Sequence, residues 1–282
     1  MYKKFLLSGL IASLHFGGGV CLAADVTPDE QPADADVPFA ESTGDEDRYK
    51  DFPFSIEGRY FAPHFDAKVE SDKIRYNGGK VGLKDNLGFG NDKAPELILR
   101  YKRLSLDYIY VHGTGHTFYG VGNTLTFGGK RYQGHVEAKN SLHYIKLNVT
   151  NPIKTNDDGG LTWSYGVTGL LWKGTVKGDA KRGDNQTYNE SRTEKYGAPV
   201  PTLGLGVYAN LLPQFNAYAN ISGLYAGHYG HFYDFEAGLR YKPVPHFAIT
   251  AGYRKIEAKV HHKDDFGKFK MHGPFAGLRF DF

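Results

Sequence analysis

The sequence is short of cysteine and of long apolar runs, and both shortages narrow the choice of protein class. Its single cysteine, Cys21, has no second cysteine to pair with, so no disulfide can form within the chain. Beyond the leader no stretch approaches the roughly 18 consecutive apolar residues of a transmembrane helix, which excludes such a helix. By contrast, the chain holds 20 tyrosines, 19 phenylalanines and 36 glycines. Aromatic residues favour strands and membrane interfaces, and glycine favours tight turns.

The N-terminal segment has the order of a secretory signal peptide. Two lysines and a short apolar run lead to small residues before a cleavage site after Ala23. Cys21 would also allow a lipoprotein anchor, although Val20 is a poor residue before a lipidated cysteine. We therefore predict an exported protein with a signal peptide over residues 1–23 and a mature chain without an internal disulfide.

Charge is divided unevenly along the chain. The formal net charge of the whole sequence is +3, but residues 25–51 hold ten acids and two bases, and the leader holds two lysines, so residues 52–282 carry +9. The acidic segment is rich in proline and poor in large apolar residues, which predicts a disordered acidic arm over residues 24–51. For the basic body, anionic outer-membrane lipid and lipopolysaccharide are nearer partners than nucleic acid, and we expect no nucleic-acid binding.

From Phe54 onward apolar and polar residues alternate with a period of two. In ELILRYKR, residues 96–103, the alternation separates the side chains onto two faces of an extended strand, whereas a helix would scatter them. The pattern predicts strands near 53–66, 93–103, 104–117, 135–151, 160–177, 198–212, 214–227, 231–243, 246–260 and 267–282.

The lengths of the connections distinguish a soluble sandwich from a membrane barrel. Tight turns near 102–104, 212–214 and 244–246 alternate with long polar loops near 67–92, 118–134 and 179–197. Short turns at one end and long loops at the other are typical of outer-membrane barrels, and a sheet edge cannot stay unpaired in lipid. The sequence therefore predicts one domain over 52–282: a closed antiparallel transmembrane β-barrel of about ten strands, with eight as the alternative, in the bacterial outer membrane.

Several segments resemble a known family. DNLGFGNDKAPELILRYKRLSLDYIYVHGTG, LTFGGKRYQGHVEAKNSLHYIKLNV and YDFEAGLRYKPVPHFAITAGYRKIEAKV are similar to the bacterial "outer membrane protein with Gly-Gly" family, together with the final GPFAGLRFDF. The resemblance covers most of residues 54–282 and implies a barrel in the outer membrane, but it implies no activity. A last strand that ends in Phe280 and Phe282 also resembles the signal by which barrel assembly machinery recognises its clients.

The polar face of the strands carries charge that would point into the lumen. Enclosed charges cannot stay unpaired in a narrow interior, so we expect ion pairs among them. A ten-stranded barrel is slightly wider than those filled by side chains and far narrower than the porins. The charged lumen is compatible with three interpretations: a polar plug, a narrow pore for ions or small solutes, or a ligand site. The candidate residues are Glu96, Arg100, Asp107, Lys146, Asp234, Glu236, Arg240, Arg254, Arg279 and Asp281.

Histidines gather at the predicted extracellular end, where imidazoles could bind zinc, copper or nickel. The candidate ligands are His112, His116, His228, His231, His261 and His262. No compact ligand signature is present, since His112 and His116 would stand about 13 Å apart along a strand. Interfacial, hydrogen-bonding histidines are the simpler interpretation, and we expect no cofactor.

Catalysis would need reactive groups at a defined spacing. Asp107, His112, Asp234 and His231 are residue types that an outer-membrane protease or a lipid A-modifying enzyme could use, but no spacing singles out a nucleophile and its base. We expect no enzymatic activity. The sequence favours a small passive channel or structural surface protein with a charged, narrow lumen. The alternative is an extracellular protein that binds a transition metal or a surface partner through its loops and rim histidines.

Overall fold

The computed structural model describes Lys3–Lys4 and residues 53–87, 89, 94–181, 187–262 and 265–282. Apart from Lys3–Lys4, the predicted signal peptide and the predicted acidic arm lie outside these residues, so both stay predictions. No helix within the described ranges has the length and apolar character needed to cross a membrane.

Ten strands form the wall. Their bounds are β2 (Phe54–Phe61), β6 (Ala94–Tyr101), β7 (Leu104–Tyr119), β9 (Lys130–Asn156), β10 (Gly159–Lys181), β11 (Thr187–Leu212), β12 (Phe215–Tyr225), β13 (Gly230–Val244), β14 (Phe247–His262) and β15 (Asp265–Asp281). Five strands are shorter: β1 (Lys3–Lys4), β3 (His64–Glu70), β4 (Ile74–Tyr76), β5 (Val81–Gly82) and β8 (Leu125–Phe127). The short helix α1 covers Leu83–Leu87, and a single 3-10 turn covers Gly227–Tyr229.

The wall closes on itself. Neighbouring wall strands all pair antiparallel, and β15 returns to pair with β2, so the ring contains ten strands. At the seam, the Phe282 backbone N–H donates to the Phe54 carbonyl at 2.8 Å. The predicted closed barrel of about ten strands is confirmed. Each predicted strand is present in the wall, most of them longer than expected.

Both ends of the wall sequence meet at the end that carries the tight turns. The predicted turns after β6, β11 and β13 are present, and a fourth follows β9. Lys102 adopts the left-handed region, with φ of 51°, which allows β6 to reverse within two residues. Short turns mark the periplasmic end of an outer-membrane barrel, so the opposite end is extracellular.

Two of the three predicted long loops are wrong over most of their length. Within 118–134 the chain forms β8 and the start of β9, and within 179–197 it continues β10 and begins β11. In these strands exposed and buried positions still alternate, but the buried positions of β10 hold small residues such as Val176, Gly178 and Ala180, so the apolar pattern is faint although the ladder continues. Thr175 lies directly opposite Thr193, for example, with their hydroxyls 2.9 Å apart. The third region, 67–92, contains the end of β3, β4, β5 and α1.

The outer face of the wall carries an apolar belt. On β11, Leu203, Leu205 and Val207 are 66%, 55% and 52% exposed, while Thr202 and Gly206 face inward and are buried. The outward orientation predicted by the alternation is confirmed for these and for Leu97, Leu106, Leu147, Trp163, Tyr165, Val167, Leu239, Ile249, Tyr253, Leu278, Phe280 and Phe282, all of them exposed. So much apolar surface suits lipid contact and not water.

The extracellular half of the interior is apolar. The segment from β4 to α1 folds over this end of the barrel and buries Ile74, Val81, Leu83 and Leu87. We call this segment, residues 74–87, the apolar cap. It belongs to one continuous hydrophobic cluster with the lumen-facing side chains Phe61, Ile109, Met271 and Phe275. The backbone N–H of Gly82 donates to Asn86 Oδ1 at 2.7 Å and holds the start of the helix in place.

The belt predicts a depth-dependent cost for charge on β11. Replacing Leu205 by Arg should cost about 2–4 kcal/mol of folding free energy in lipid vesicles, because the guanidinium would enter the hydrocarbon layer. Urea unfolding followed by tryptophan fluorescence measures this cost. Thr193→Arg adds the same charge to the exposed, extracellular part of the same strand and should change stability by less than about 0.5 kcal/mol. Equal losses in the two variants would contradict the assignment of the belt.

Candidate functional site: the ion-pair network of the lumen

The centre of the network is Arg254 on β14. Its side chain is 1% exposed and reaches across the lumen to acids from three other strands. It forms an ion pair with Glu96 of β6, donates to Asp107 of β7 at 2.6 Å, and donates twice to Asp234 of β13 at 3.0 and 2.8 Å. Charge-assisted bonds of this kind are the strong ones, and here they connect residues 147 and 20 positions apart in the chain.

Arg59 on β2 forms a second centre beside the first. It pairs with Glu57 at 2.6 Å and with Glu236 at 2.9 Å, and it lies 3.7 Å from Glu96. Gly277, directly opposite Arg59 on β15, leaves room for this side chain, since a Cβ there would lie 2.5 Å from Arg59 Cγ. Arg59 therefore links the acids of β2, β6 and β13.

Asp234 also accepts hydrogen bonds from two residues other than Arg254. Lys146 Nζ lies 2.9 Å from its Oδ2, and the Tyr144 hydroxyl donates to the same oxygen at 2.7 Å. Lys146 also donates to the Ser222 hydroxyl at 2.7 Å. Asp234 is thus bonded to Arg254, Lys146 and Tyr144, which satisfies a carboxylate that is almost fully buried.

Nearer the periplasmic end the bases outnumber the acids. Arg100 pairs with Glu57 at 2.6 Å, and Asp281 accepts from Arg279 at 2.6 Å and lies 3.4 Å from Lys242. Arg240 is the one predicted network residue that lacks its expected ion pair. Among the described residues no acid lies within salt-bridge distance of its guanidinium. Its guanidinium lies 5.3 Å from the Tyr218 ring.

The structure brings together nine of the ten predicted lumen residues through ion pairs and adds some that the sequence analysis missed. Glu57 and Arg59 were missed although FSIEGRYF alternates like the other strands and places both on the polar face. Tyr144 and Thr250 were missed because an uncharged side chain in a strand gives no sign of its partner. The Thr250 hydroxyl donates to Glu57 at 2.8 Å.

The candidate metal ligands are not brought together. Among the described residues no group of three or more His, Cys, Asp or Glu side chains could hold a metal ion. His112 stacks on Tyr110, His228 contacts Tyr229, His261 contacts Phe266, and His231 lies 3.6 Å from Glu257. The side chain of His262 lies outside the described residues. These contacts match interfacial histidines, and we propose no metal site.

The residues considered for catalysis also lie apart. Asp107 and Asp234 are bonded to Arg254 inside the lumen, whereas His112 is exposed on the outer face of the wall. His231 is bonded to Glu257 and not to either aspartate. The described geometry therefore gives no nucleophile with an adjacent base.

A groove lies on the outer face of the wall beyond the belt, where β7, β9, β10 and β11 meet. It has a volume of about 410 Å³ and is lined by His116, Phe118, His135, Glu137, Lys177 and Asn189, among others. The Phe118 and His135 rings are 4.9 Å apart. Lys139 lies 3.2 Å from Glu137, and its hydrogen bond lowers the pKa of that carboxyl group. The groove thus offers one exposed aromatic ring and several charged groups.

Removing Arg254 should destabilise the barrel strongly. Arg254→Gln leaves Glu96, Asp107 and Asp234 without their shared cation, which should cost about 3–5 kcal/mol of unfolding free energy in urea titrations at neutral pH. Arg240→Gln is the matched control, since Arg240 has no ion pair among the described residues, and it should cost less than about 1 kcal/mol. The deficit of Arg254→Gln should shrink in acid, where protonation removes the unpaired carboxylate charges. A deficit independent of pH would count against this account.

Comparisons with known proteins identify no family for the chain. No family model and no curated protein matches the chain. The outer membrane protease OmpT from Escherichia coli is similar over 81% of this chain and 96% of its own, at 10% identity and a TM-score of 0.47. Neisserial surface protein A (NspA) is similar over 82% and 97%, at 12% identity and a TM-score of 0.31. The ring of ten strands with its apolar belt is itself the architecture of a bacterial outer-membrane β-barrel, and the protein lies in that membrane.

Proposed function

We propose that this protein is an outer-membrane surface protein whose closed barrel anchors a β-sheet extension outside the cell. The filled lumen is the observation that carries the proposal. At one level Arg254 and Arg59 occupy the lumen with their acids, and at the next level Phe61, Ile109 and Phe275 pack together with the apolar cap. Two successive layers, one ionic and one apolar, favour a structural role over a passive channel.

The length of three strands supports the second part of the proposal. β9, β10 and β11 contain 27, 23 and 26 residues, whereas about 9–11 residues of a tilted strand cross the hydrocarbon layer. More than half of each strand therefore projects from the membrane. Trp172 stacks on Tyr196 within this extension, with ring centroids 5.6 Å apart. The extension is a rigid surface that a partner could bind, and its groove at His116 and Phe118 favours recognition of such a partner.

Two expectations from the sequence belong to the same proposal. Membership of the "outer membrane protein with Gly-Gly" family accords with the strands observed in the quoted segments. Recognition of the last strand by barrel assembly machinery is supported by Phe280 and Phe282, which are 47% and 58% exposed on the belt.

A closed lumen predicts that the protein does not conduct ions across a membrane. The purified protein in planar bilayers should show no discrete conductance steps, because ions would have to cross both the ionic layer and the apolar layer. Replacing Ile74, Leu83 and Leu87 by Ser disrupts only the apolar layer and should leave the protein silent. Combining these changes with Arg59→Ser and Arg254→Ser should produce steps. Discrete steps from the unaltered protein would overturn the proposal, and a difference in gel migration between unheated and heated samples would verify that each variant is folded.

The anchor should survive shortening of the extension. Lys177 lies directly opposite Ser191, so residues 178–190 can be replaced by Asn-Gly in register. We expect the shortened protein to assemble in the outer membrane and to keep its resistance to detergent unfolding without heat. Failure to assemble would show that the extension is part of the folding unit and not a surface carried by the barrel.

A further inference from the structure

A row of basic residues crosses four neighbouring strands on the outer face. Lys68 of β3 lies opposite Lys268 of β15, which lies opposite Lys259 of β14, which lies opposite His231 of β13. Ala67 and Ala258, their neighbours in sequence, are buried on the inner side, so the lysines point outward. Together with Lys255 and Lys270 we call these lysines the basic patch.

The acids near the basic patch do not neutralise it. Glu257 lies 3.6 Å from both Lys255 and His231 and accepts a hydrogen bond from the Tyr233 hydroxyl. Asp66 and Glu257 stand opposite Lys270 in the register, and Glu70 stands opposite Phe266. In the part of the chain that the structure describes, Lys68, Lys259, Lys268 and Lys270 form no salt bridge. Like charges directly opposite each other in a sheet are destabilising, so an external anion bound between these lysines would stabilise the sheet.

The basic patch begins where the apolar belt ends. Tyr253 is the last exposed aromatic residue of the belt on β14, and Lys255 follows two positions later, about 7 Å further along the strand. The headgroup layer on each side of the hydrocarbon is roughly 5–8 Å thick, so Lys255 stands within it and the row at Lys259 lies beyond. This depth fits the polar head of a lipid with phosphates at more than one height.

We propose that the basic patch docks the phosphate groups of an anionic glycolipid in the outer leaflet. One phosphate lies beside Lys255 in the headgroup layer and another lies between Lys259 and Lys268, where it offsets the repulsion within the row, and the acyl chains lie against Tyr253 and the belt below. The docked lipid is a neighbour of the barrel wall, so this inference does not depend on whether the lumen is closed.

Native mass spectrometry of the detergent-solubilised protein tests the inference. The probe is an acylated glucosamine disaccharide with two phosphates, compared with the same lipid after dephosphorylation and with inorganic phosphate. We expect the diphosphorylated lipid to bind and Lys259→Gln with Lys268→Gln to weaken its binding about 30-fold. Lys102→Gln with Lys154→Gln removes the same charge from the periplasmic end and should leave binding unchanged.

Each other outcome overturns the inference. Undiminished binding to the Lys259 and Lys268 variant would show that the row is not the site, and an equal loss in the control would show a general effect of net charge. Equal binding of the dephosphorylated lipid would exclude phosphate recognition. Competition by inorganic phosphate at the same concentration as the lipid would identify a free-anion site instead. Migration of the unheated proteins on gels verifies that both variants are folded.

Discussion

The hydrogen bonds between β15 and β2 are the contact on which the rest of the structure depends. Lipid offers no partner to a backbone N–H or carbonyl, so an open sheet would leave two edges unsatisfied along their full length. The register from Phe275 opposite Phe61 to Asp281 opposite Ser55 removes both edges at once. Closure also creates an inner face with no access to lipid, and the polar side chains of every strand must be satisfied there.

The ion pairs follow from that enclosure, and they in turn restrict the register. Because strand side chains alternate, a shift of β14 by one residue would turn Arg254 into the lipid and deprive Glu96, Asp107 and Asp234 of their shared cation. A buried ion network contributes little net stability compared with an apolar interior, but an incomplete one is costly. The network therefore acts mainly against wrong pairings of the wall, consistent with the closed lumen.

How much the sequence revealed depended on whether the residue types on the two faces of a strand differ clearly. Within the membrane they do, so the alternation placed Leu205 outside and Arg254 inside correctly, and it would have placed Glu57 and Arg59 inside as well. In the extension the inward positions of β10 hold small residues, such as Val176, Gly178 and Ala180, which are buried but give only a faint apolar pattern, so residues 179–197 were wrongly assigned to a loop. The ion pair expected for Arg240 failed for another reason. Alternation gives the face of a residue but not its height in the barrel, which depends on the stagger of all ten strands.

The height of each charged residue in the barrel explains why acids and bases are distributed unevenly along the lumen. Glu96, Asp107 and Asp234 lie beneath the apolar cap, where no water replaces a missing partner, and each has a cation within hydrogen-bond distance. At the periplasmic end the Arg100 side chain is 27% exposed and shares Glu57 with Arg59. Water reaches that mouth, where the side chains of Arg279 and Lys242 are 15% and 13% exposed, and the Arg240 guanidinium, which has no carboxylate at salt-bridge distance among the described residues, lies over the Tyr218 ring. An unpaired arginine at the height of Arg254 would lack that solvent, and for this reason the bases in excess lie at the open end.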